Sequence, residues 1–495
     1  MNNSSQHSET EDRQVLGSGS AMIASRIVSA ALGWLGSVTI ARSLSPTDWG
    51  IYSFIFALLG LMAVVTDLGV GRAVLSRITT DNTSANQAAA GSFIVLRFVL
   101  GLIGYCAAIA YAFLSQQGLS ISLMVAFAGV IIILSTPSNA LLVLYQSRLH
   151  LSYIARWDVI GQVVQLLIIL AIAKYSPSIT AFIIASLAKE IIVLLARWAG
   201  IRQGRLPDLM PTFSQPTLGW RDTLIEAIPL SAGYALFLLL TKIDQLMLER
   251  MVGFQPVGIY AISYKFSDLL GLSITALALP FTTVLVTSYT RDSLQFVART
   301  RQALVAATIL GSLATAGFLP TADGIIGLLY GVEFESAGLS SRLLVIAAGF
   351  SGISIVALSV LLAAKHLMGF PIAALIALVA KIGLNLYLIP LYGINGAAIA
   401  TVITEGALMV ATLGLIHFQL RLKGLIPVAT LSRLLIVTSA ISYPLMLATE
   451  VRHIHWFSSG VLAAGLFALY LFLTGDWPLR LRSRSRTMSE SAVER

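Results

Sequence analysis

Residues 41–54 read ARSLSPTDWGIYSF, and residues 249–262 read ERMVGFQPVGIYAI. Aligned without a gap, Arg42, Gly50, Ile51 and Tyr52 fall on Arg250, Gly258, Ile259 and Tyr260. Four matches in a short window prove little alone. What gives them weight is where each string sits, between two long apolar runs.

Composition explains those runs. The chain has 495 residues, 57% hydrophobic and 11% charged, with a mean hydropathy of +0.86. A soluble globular chain carries about 25% charged residues. A chain with so little charge takes the bilayer as its solvent, so a polytopic membrane protein is expected. The runs are continuous and lack strand-like alternation, which points to helices rather than a barrel. The formal charge of +9 reads as basic cytoplasmic loops facing anionic lipid headgroups, not as nucleic-acid binding. Cys106 is the single cysteine; no disulfide or metal spacing is available to it, and a buried structural thiol is expected. The first twenty residues lack a basic stretch leading into a short apolar one, so the first run is expected to be a retained helix.

Apolar runs fall at 20–43, 50–72, 88–114, 121–145, 154–173, 178–199, 224–248, 258–287, 300–320, 341–364, 369–391, 393–417, 427–449 and 455–474. Each reaches the ~20 residues that cross a ~30 Å hydrocarbon core. This predicts an all-α polytopic membrane protein with about 14 transmembrane helices. The stretch 321–340 is too interrupted for a span and is expected to be an external re-entrant or amphipathic segment. With the N-terminus inside, the inner loops hold fifteen Lys and Arg residues, Arg148, Arg197, Arg202, Arg205 and Arg221 among them. The C-terminal tail adds Arg480, Arg482, Arg484 and Arg486, whereas the outer side holds only Arg42, Lys174, Arg250, Arg342 and Arg452. The asymmetry places both termini in the cytoplasm.

The two strings then sit at corresponding corners, six helices apart and on the same side. This predicts a parallel repeat, its pseudo-twofold axis along the membrane normal. The expected organisation is a polar cytoplasmic tail at 1–19, an N-terminal lobe at 20–200 and a cytoplasmic linker at 201–222. A C-terminal lobe at 223–424, two extra helices at 425–475 and a basic tail at 476–495 follow. The glycines let the chain re-enter closely, and the tyrosines suit the interfacial belt.

The stretch IARSLSPTDWGIYSFIFALLGLMAVVTDLGVGRAVLSRI resembles the N-terminal region of bacterial polysaccharide flippases, and KIDQLMLERMVGFQPVGIYAISYKFSDLL the start of their second half. GIIGLLYGVEFESAGLSSRLLVIA and LYGINGAAIATVITE are similar to two further stretches. The likeness covers most of residues 20–420 and marks the multidrug/oligosaccharidyl-lipid/polysaccharide exporter superfamily. It implies two six-helix lobes around a central cavity. It also implies a flippase in the bacterial cytoplasmic membrane, moving an isoprenoid-pyrophosphate-linked oligosaccharide, an O-antigen or exopolysaccharide unit, to the outer leaflet by alternating access. An ion-coupled antiporter of drugs or organic cations shares that fold. Partners implied are the lipid-linked glycan, anionic lipids and other membrane proteins of polysaccharide assembly.

Such a substrate needs a polar, cationic path, so charges within spans are the candidates. The cations are Arg26, Arg97, Lys189, Lys242, Lys265 and Lys381; the acids are Asp67, Asp158, Glu190, Asp244, Asp268 and Glu405. Equal numbers leave internal ion pairs as the rival explanation. Arg26 and Asp67 lie at similar depth, about 9 Å from one membrane surface, and are placed to pair. Lys265 and Asp268 share a helix face. Arg97 has no acid one turn away and is a candidate for the anionic head. Lys381 and Asn385, at i and i+4, either bind pyrophosphate or neutralise Glu405. Lys242 and Asp244 face different ways. Asp158, Gln162 and Gln165 form a stripe that contacts sugar hydroxyls or lines a helix seam.

No G-x-x-x-x-G-K-[ST] is present, no cofactor is expected, and no paired-carboxylate or nucleophile constellation appears. His453 and His455 are expected to be solvent-exposed rather than metal ligands. A membrane glycan polymerase or ligase, the enzyme alternative, is disfavoured by the small outer segments.

Overall fold

The computed structural model describes residues 2–67, 69–71, 74, 78, 83–366, 369–422, 424–452 and 455–475. All regular structure among them is helical. In chain order the helices are α1 (Asn2–Ser43), α2 (Pro46–Asp67), α3 (Thr83–Leu114), α4 (Leu119–Ser147), α5 (Leu151–Tyr175), α6 (Ile179–Arg202) and α7 (Trp220–Val252). There follow α8 (Phe254–Arg291), α9 (Ser293–Phe318), α10 (Ala322–Tyr330), α11 (Gly338–Ala363), α12 (Gly369–Leu420), α13 (Val428–Arg452) and α14 (Trp456–Thr474).

Among the described residues eleven helices are long and apolar enough to cross a membrane, or twelve if α9 and α10, bent by 74°, form one span. The chain is a multi-pass membrane protein; among the described residues eleven to twelve spans are counted against the fourteen expected, and the exact number of fourteen is not confirmed. The difference lies at α7, at the bent α9–α10 pair, and at α12, a single assignment of 52 residues. A straight helix of that length would be about 78 Å long, more than twice a hydrocarbon core. It is interrupted at Gly393, whose φ of 57° and ψ of −130° are not helical. The stretch 1–19, expected as a tail, continues α1 from Asn2 onward, and the basic tail 476–495 lies outside the described residues.

The chain forms two compact units, Met1–Leu246 and Met247–Arg495. The division falls inside α7 rather than at the linker. The physical reason is packing: Trp220, Leu224 and Ala227, in the first turns of α7, join the core of the first unit. The linker joins it too. Leu206 and Leu209 are buried there, the Thr212 N–H donates to the Gln87 carbonyl at 3.1 Å, and the Ser92 hydroxyl donates to the Leu218 carbonyl at 2.8 Å. Gly91 permits this, because a Cβ there would strike the Thr212 carbonyl.

The repeat is visible in each unit taken by itself. Helix α2 starts at Pro46 and α8 at Phe254, a separation of 208 positions that Arg42 and Arg250 share. In both strings the arginine is exposed, the glycine and tyrosine buried, and the isoleucine intermediate. In the first unit α2, α3 and α4 pack on one another; in the second α8, α9 and α11 do so. Ser45 starts α2 as its N-cap: the Asp48 N–H donates to the Ser45 hydroxyl at 3.1 Å, and Pro46 tolerates the first helical position.

The tyrosines do not form an interfacial belt. Tyr52 stacks on Trp49 with centroids 5.5 Å apart and hydrogen-bonds Ser186; Tyr260 meets Tyr264 edge-on at 5.1 Å. Burial with a partnered hydroxyl satisfies such a ring as fully as an interface does. Cys106, expected to be buried, is exposed on α3. In a bilayer an apolar run faces lipid as readily as protein, so hydropathy alone does not bury a side chain.

In the second unit, the predicted irregular stretch becomes α10 and a 3-10 turn, Val332–Ala337. The two extra helices α13 and α14 pack on α9. Gly324 and Gly460 bring α14 close, since a Cβ on either would meet Trp456 or Thr321.

Candidate functional site

Arg97 is held from a neighbouring helix. Its guanidinium pairs with Asp67 and donates to the carbonyls of Thr66 at 3.3 Å and Asp67 at 3.4 Å. Helix α2 ends at Asp67, two residues before Gly69, whose φ of 65° is left-handed. The last carbonyls of a helix lack intrahelical partners and carry partial negative charge. Arg97 therefore caps α2, and its Cζ also lies 5.8 Å from the Phe93 ring centroid. Asp67 is not placed with Arg26, as depth alone had allowed; Arg26 is exposed on α1. The Arg97 side chain is 5% exposed and that of Asp67 53%, so the acid, not the base, is the open member.

The stripe on α5 forms a seam. Asp158 Oδ1 accepts from Arg197 at 2.8 Å, and Arg197 also donates to the Ser138 carbonyl at 2.9 Å. This ties α4, α5 and α6 together. Gln162 donates to Gln165 at 3.0 Å, and Gln165 to the Ser186 hydroxyl at 3.0 Å. Arg197, assigned to an inner loop from sequence, is buried within the last turns of α6. Matched depth was the signal: Asp158 lies near the start of α5, and Arg197 near the end of the antiparallel α6.

In the second unit Lys381 is 1% exposed, Asn385 0% and Glu405 6%. The Asn385 amide approaches Met247 Sδ at 3.6 Å. Lys381 and Glu405 each stand twelve positions from Gly393 along the chain, on either side of the break. Asn385 and Thr401 each stand eight positions from it, and Thr401 is buried as well. Lys265 on α8 is half-buried, and Asp268, one turn on, is exposed. On α7, Asp244 is fully buried and Lys242 half-buried, as a separation of two residues requires.

The candidates thus divide in two. Arg97, Asp158, Gln162, Asp244, Lys381, Asn385 and Glu405 lie inside a unit, or in Asp158's case pair with a buried partner. Arg26, Lys242, Lys265, Asp67 and Asp268 reach a surface at membrane depth. A charge at a helix centre facing lipid costs about 3 kcal/mol, which makes these the residues to weigh as lining a hydrated path. Sequence reading also missed Arg342, which was placed among outer ends. It is buried at the start of α11, donating to Asp323 at 2.6 Å, Glu450 at 3.1 Å and the Leu319 carbonyl at 2.9 Å. This pins α13 to the corner between α9 and α10. His455 stacks on Trp456 and caps α14, while His453 lies outside the described residues. Among the described residues no group of three metal-ligating side chains occurs.

Solved structures share this arrangement of helices. "Lipid II flippase MurJ, inward closed conformation" aligns with a TM-score of 0.71 at 14% identity, covering 92% of this chain and 99% of that one. An inward-facing multidrug resistance MATE family transporter of the MOP superfamily aligns at 0.65 and 15% identity, over 80% and 95% of the two chains. A MOP superfamily transporter from Pyrococcus furiosus aligns at 0.60 and 15%, over 83% and 96%. These likenesses establish the fold, one of flippases and transporters. No curated protein matches the sequence. The family described as "Polysaccharide biosynthesis protein" matches residues 15–286, more than half of the chain. On that match the chain belongs to the polysaccharide biosynthesis protein family.

Proposed function

We propose that this protein is a flippase that carries the sugar head of an isoprenoid-pyrophosphate-linked oligosaccharide, an O-antigen or exopolysaccharide unit, from the cytoplasmic to the outer leaflet of a bacterial inner membrane. The observation that carries the reading is the set of cations at membrane depth that reach a surface: Arg26, Lys242 and Lys265. The lipid tail stays in hydrocarbon, while pyrophosphate and sugars need a hydrated path with positive charge along it. Membership of a polysaccharide biosynthesis family supports a glycan as cargo, and likeness to an inward closed flippase and an inward-facing transporter supports alternating access. Both termini are read as cytoplasmic from the distribution of Lys and Arg. Within the N-terminal lobe, Arg97 and Arg197 act as positioning residues, one at the end of α2 and one across the seam of α4, α5 and α6.

The test is reconstitution in vesicles with an isoprenoid-pyrophosphate glycan whose sugar is open to a membrane-impermeant glycosidase on one side. Protein-dependent transfer of sugar to the protected side is expected. Absence of transfer, together with ion-coupled efflux of an organic cation, would establish the antiporter instead; exposed Asp67 and Asp268 are the feature that reading would use.

A further inference from the structure

The end of α6 and the start of α5 build an arginine–aromatic face apart from the cations assigned to transport. Arg205 lies over the Tyr153 ring, Cζ 4.4 Å from the centroid, and Arg202 over Trp198 at 5.8 Å. The floor beneath them is rigid. Tyr153 donates its hydroxyl to the Ala196 carbonyl at 2.7 Å, stacks on Tyr145 at 5.5 Å and meets Trp157 edge-on at 6.4 Å. Gly200 leaves room for both tyrosines, which a Cβ there would strike. Gly204, with φ 75°, turns the chain so that the Arg205 N–H reaches the Gly200 carbonyl at 3.2 Å.

Charge separates this face from the arginines near it. Arg148 is taken by Asp208, and Arg197 by Asp158. Arg202 and Arg205, with Arg156 one turn beyond Tyr153, are exposed and have no carboxylate partner among the described residues. A guanidinium stacked on a ring keeps its N–H edge open, and that edge matches phosphate oxygens. Toward the membrane, α6 continues with exposed Ile191 and Leu195, spaced i and i+4 on one face. Aromatic rings at this level mark the headgroup region.

We propose that this face binds an anionic phospholipid of the leaflet that the basic loops mark as cytoplasmic: its phosphate on Arg202 and Arg205, its chains along Leu195 and Ile191. The site shares no residue with the cations assigned to transport, and binding is read directly, so failure of glycan translocation leaves it standing. The experiment is native mass spectrometry of the full chain titrated with phosphatidylglycerol and with phosphatidylcholine. The double variant R202Q/R205Q is compared with R299Q/R301Q, which removes equal charge from two exposed arginines elsewhere. Phosphatidylglycerol binding is expected to weaken about 30-fold in the first, at about fivefold per arginine, and less than twofold in the second. R202K/R205K is expected to recover only part, because lysine loses the planar stack. If R202Q/R205Q melts early, R205Q alone carries the same expectation at about fivefold. Equal losses in both double variants would overturn the proposal. So would equal affinity of the unaltered protein for the two lipids, or displacement of phosphatidylglycerol by an isoprenoid pyrophosphate at equal concentration.

Discussion

Replacing Arg97 separates a structural arginine from a substrate ligand, and the geometry fixes the expected size. Arg97→Ala removes one ion pair, two hydrogen bonds to the carbonyls that end α2, and the contact with Phe93. A hydrogen bond involving a charged group is worth about 1.5–3 kcal/mol, and breaking a fully buried pair costs about 3–5 kcal/mol. Asp67 is half open to solvent, so the carboxylate left behind is not stranded, and the upper figures do not apply. We expect a loss of about 2–3 kcal/mol for Arg97→Ala. Asp67→Asn keeps both carbonyl contacts and loses only the pair, so about 1 kcal/mol is expected. The double variant is expected to be no less stable than Arg97→Ala alone, because the pair is already gone. Thermal unfolding of the purified protein in one detergent, with a double-mutant cycle, measures these differences. Translocation per folded molecule is expected to stay within about threefold in Asp67→Asn, in keeping with a positioning role. Additive losses in the cycle would refute the pairing. Full stability of Arg97→Ala with abolished transfer would refute the capping role and restore Arg97 as a substrate ligand.

Three further outcomes follow from the same geometry. Lys381→Met and Glu405→Gln are each expected to destabilise the protein by about 2–4 kcal/mol, since both are buried, and the double variant by less than their sum if the two neutralise one another; additive unfolding shifts would separate them. Gly393→Ala is expected to cost about 1–2 kcal/mol, because φ at that break is positive, and the loss should appear in the melting temperature; an unchanged melting temperature would mean the break is not needed. Gly91→Leu should drive Thr212 from the end of α3, making the linker 203–219 at least tenfold more susceptible to a protease; equal cleavage rates would show that the linker is not strapped to the first unit.

The repeat was legible because one short string carries a helix end, a turn and a helix start, and its spacing of 208 positions recurs in the helix boundaries. Span number was less legible. The run 50–72 looks continuous in hydropathy, yet α2 ends at Asp67, because the left-handed backbone at Gly69 leaves no mark in an apolar average. The burial of Lys381, Asn385 and Glu405 fits polar groups read near mid-depth on consecutive helices. The partner of Arg97 was not legible, since it lies on another helix and the search covered only one turn in sequence. Arg197 and Arg342 were read as loop charges because counting Lys and Arg for orientation assigns helix ends to loops. Both instead turn inward to acids on neighbouring helices. Cys106 failed for a reason peculiar to membranes: lipid and protein core select the same residues.

The most direct measurement is the initial rate of glycan-head transfer in vesicles for the unaltered protein and for Arg26→Gln, Lys242→Gln and Lys265→Gln. Each lost cation removes a charge-assisted contact worth about 1.5 kcal/mol or more, so a drop of about tenfold or greater is expected in each, with melting temperatures near that of the unaltered protein. Rates equal to the unaltered protein in all three, or no transfer by any form, would contradict a cationic path for the pyrophosphate head.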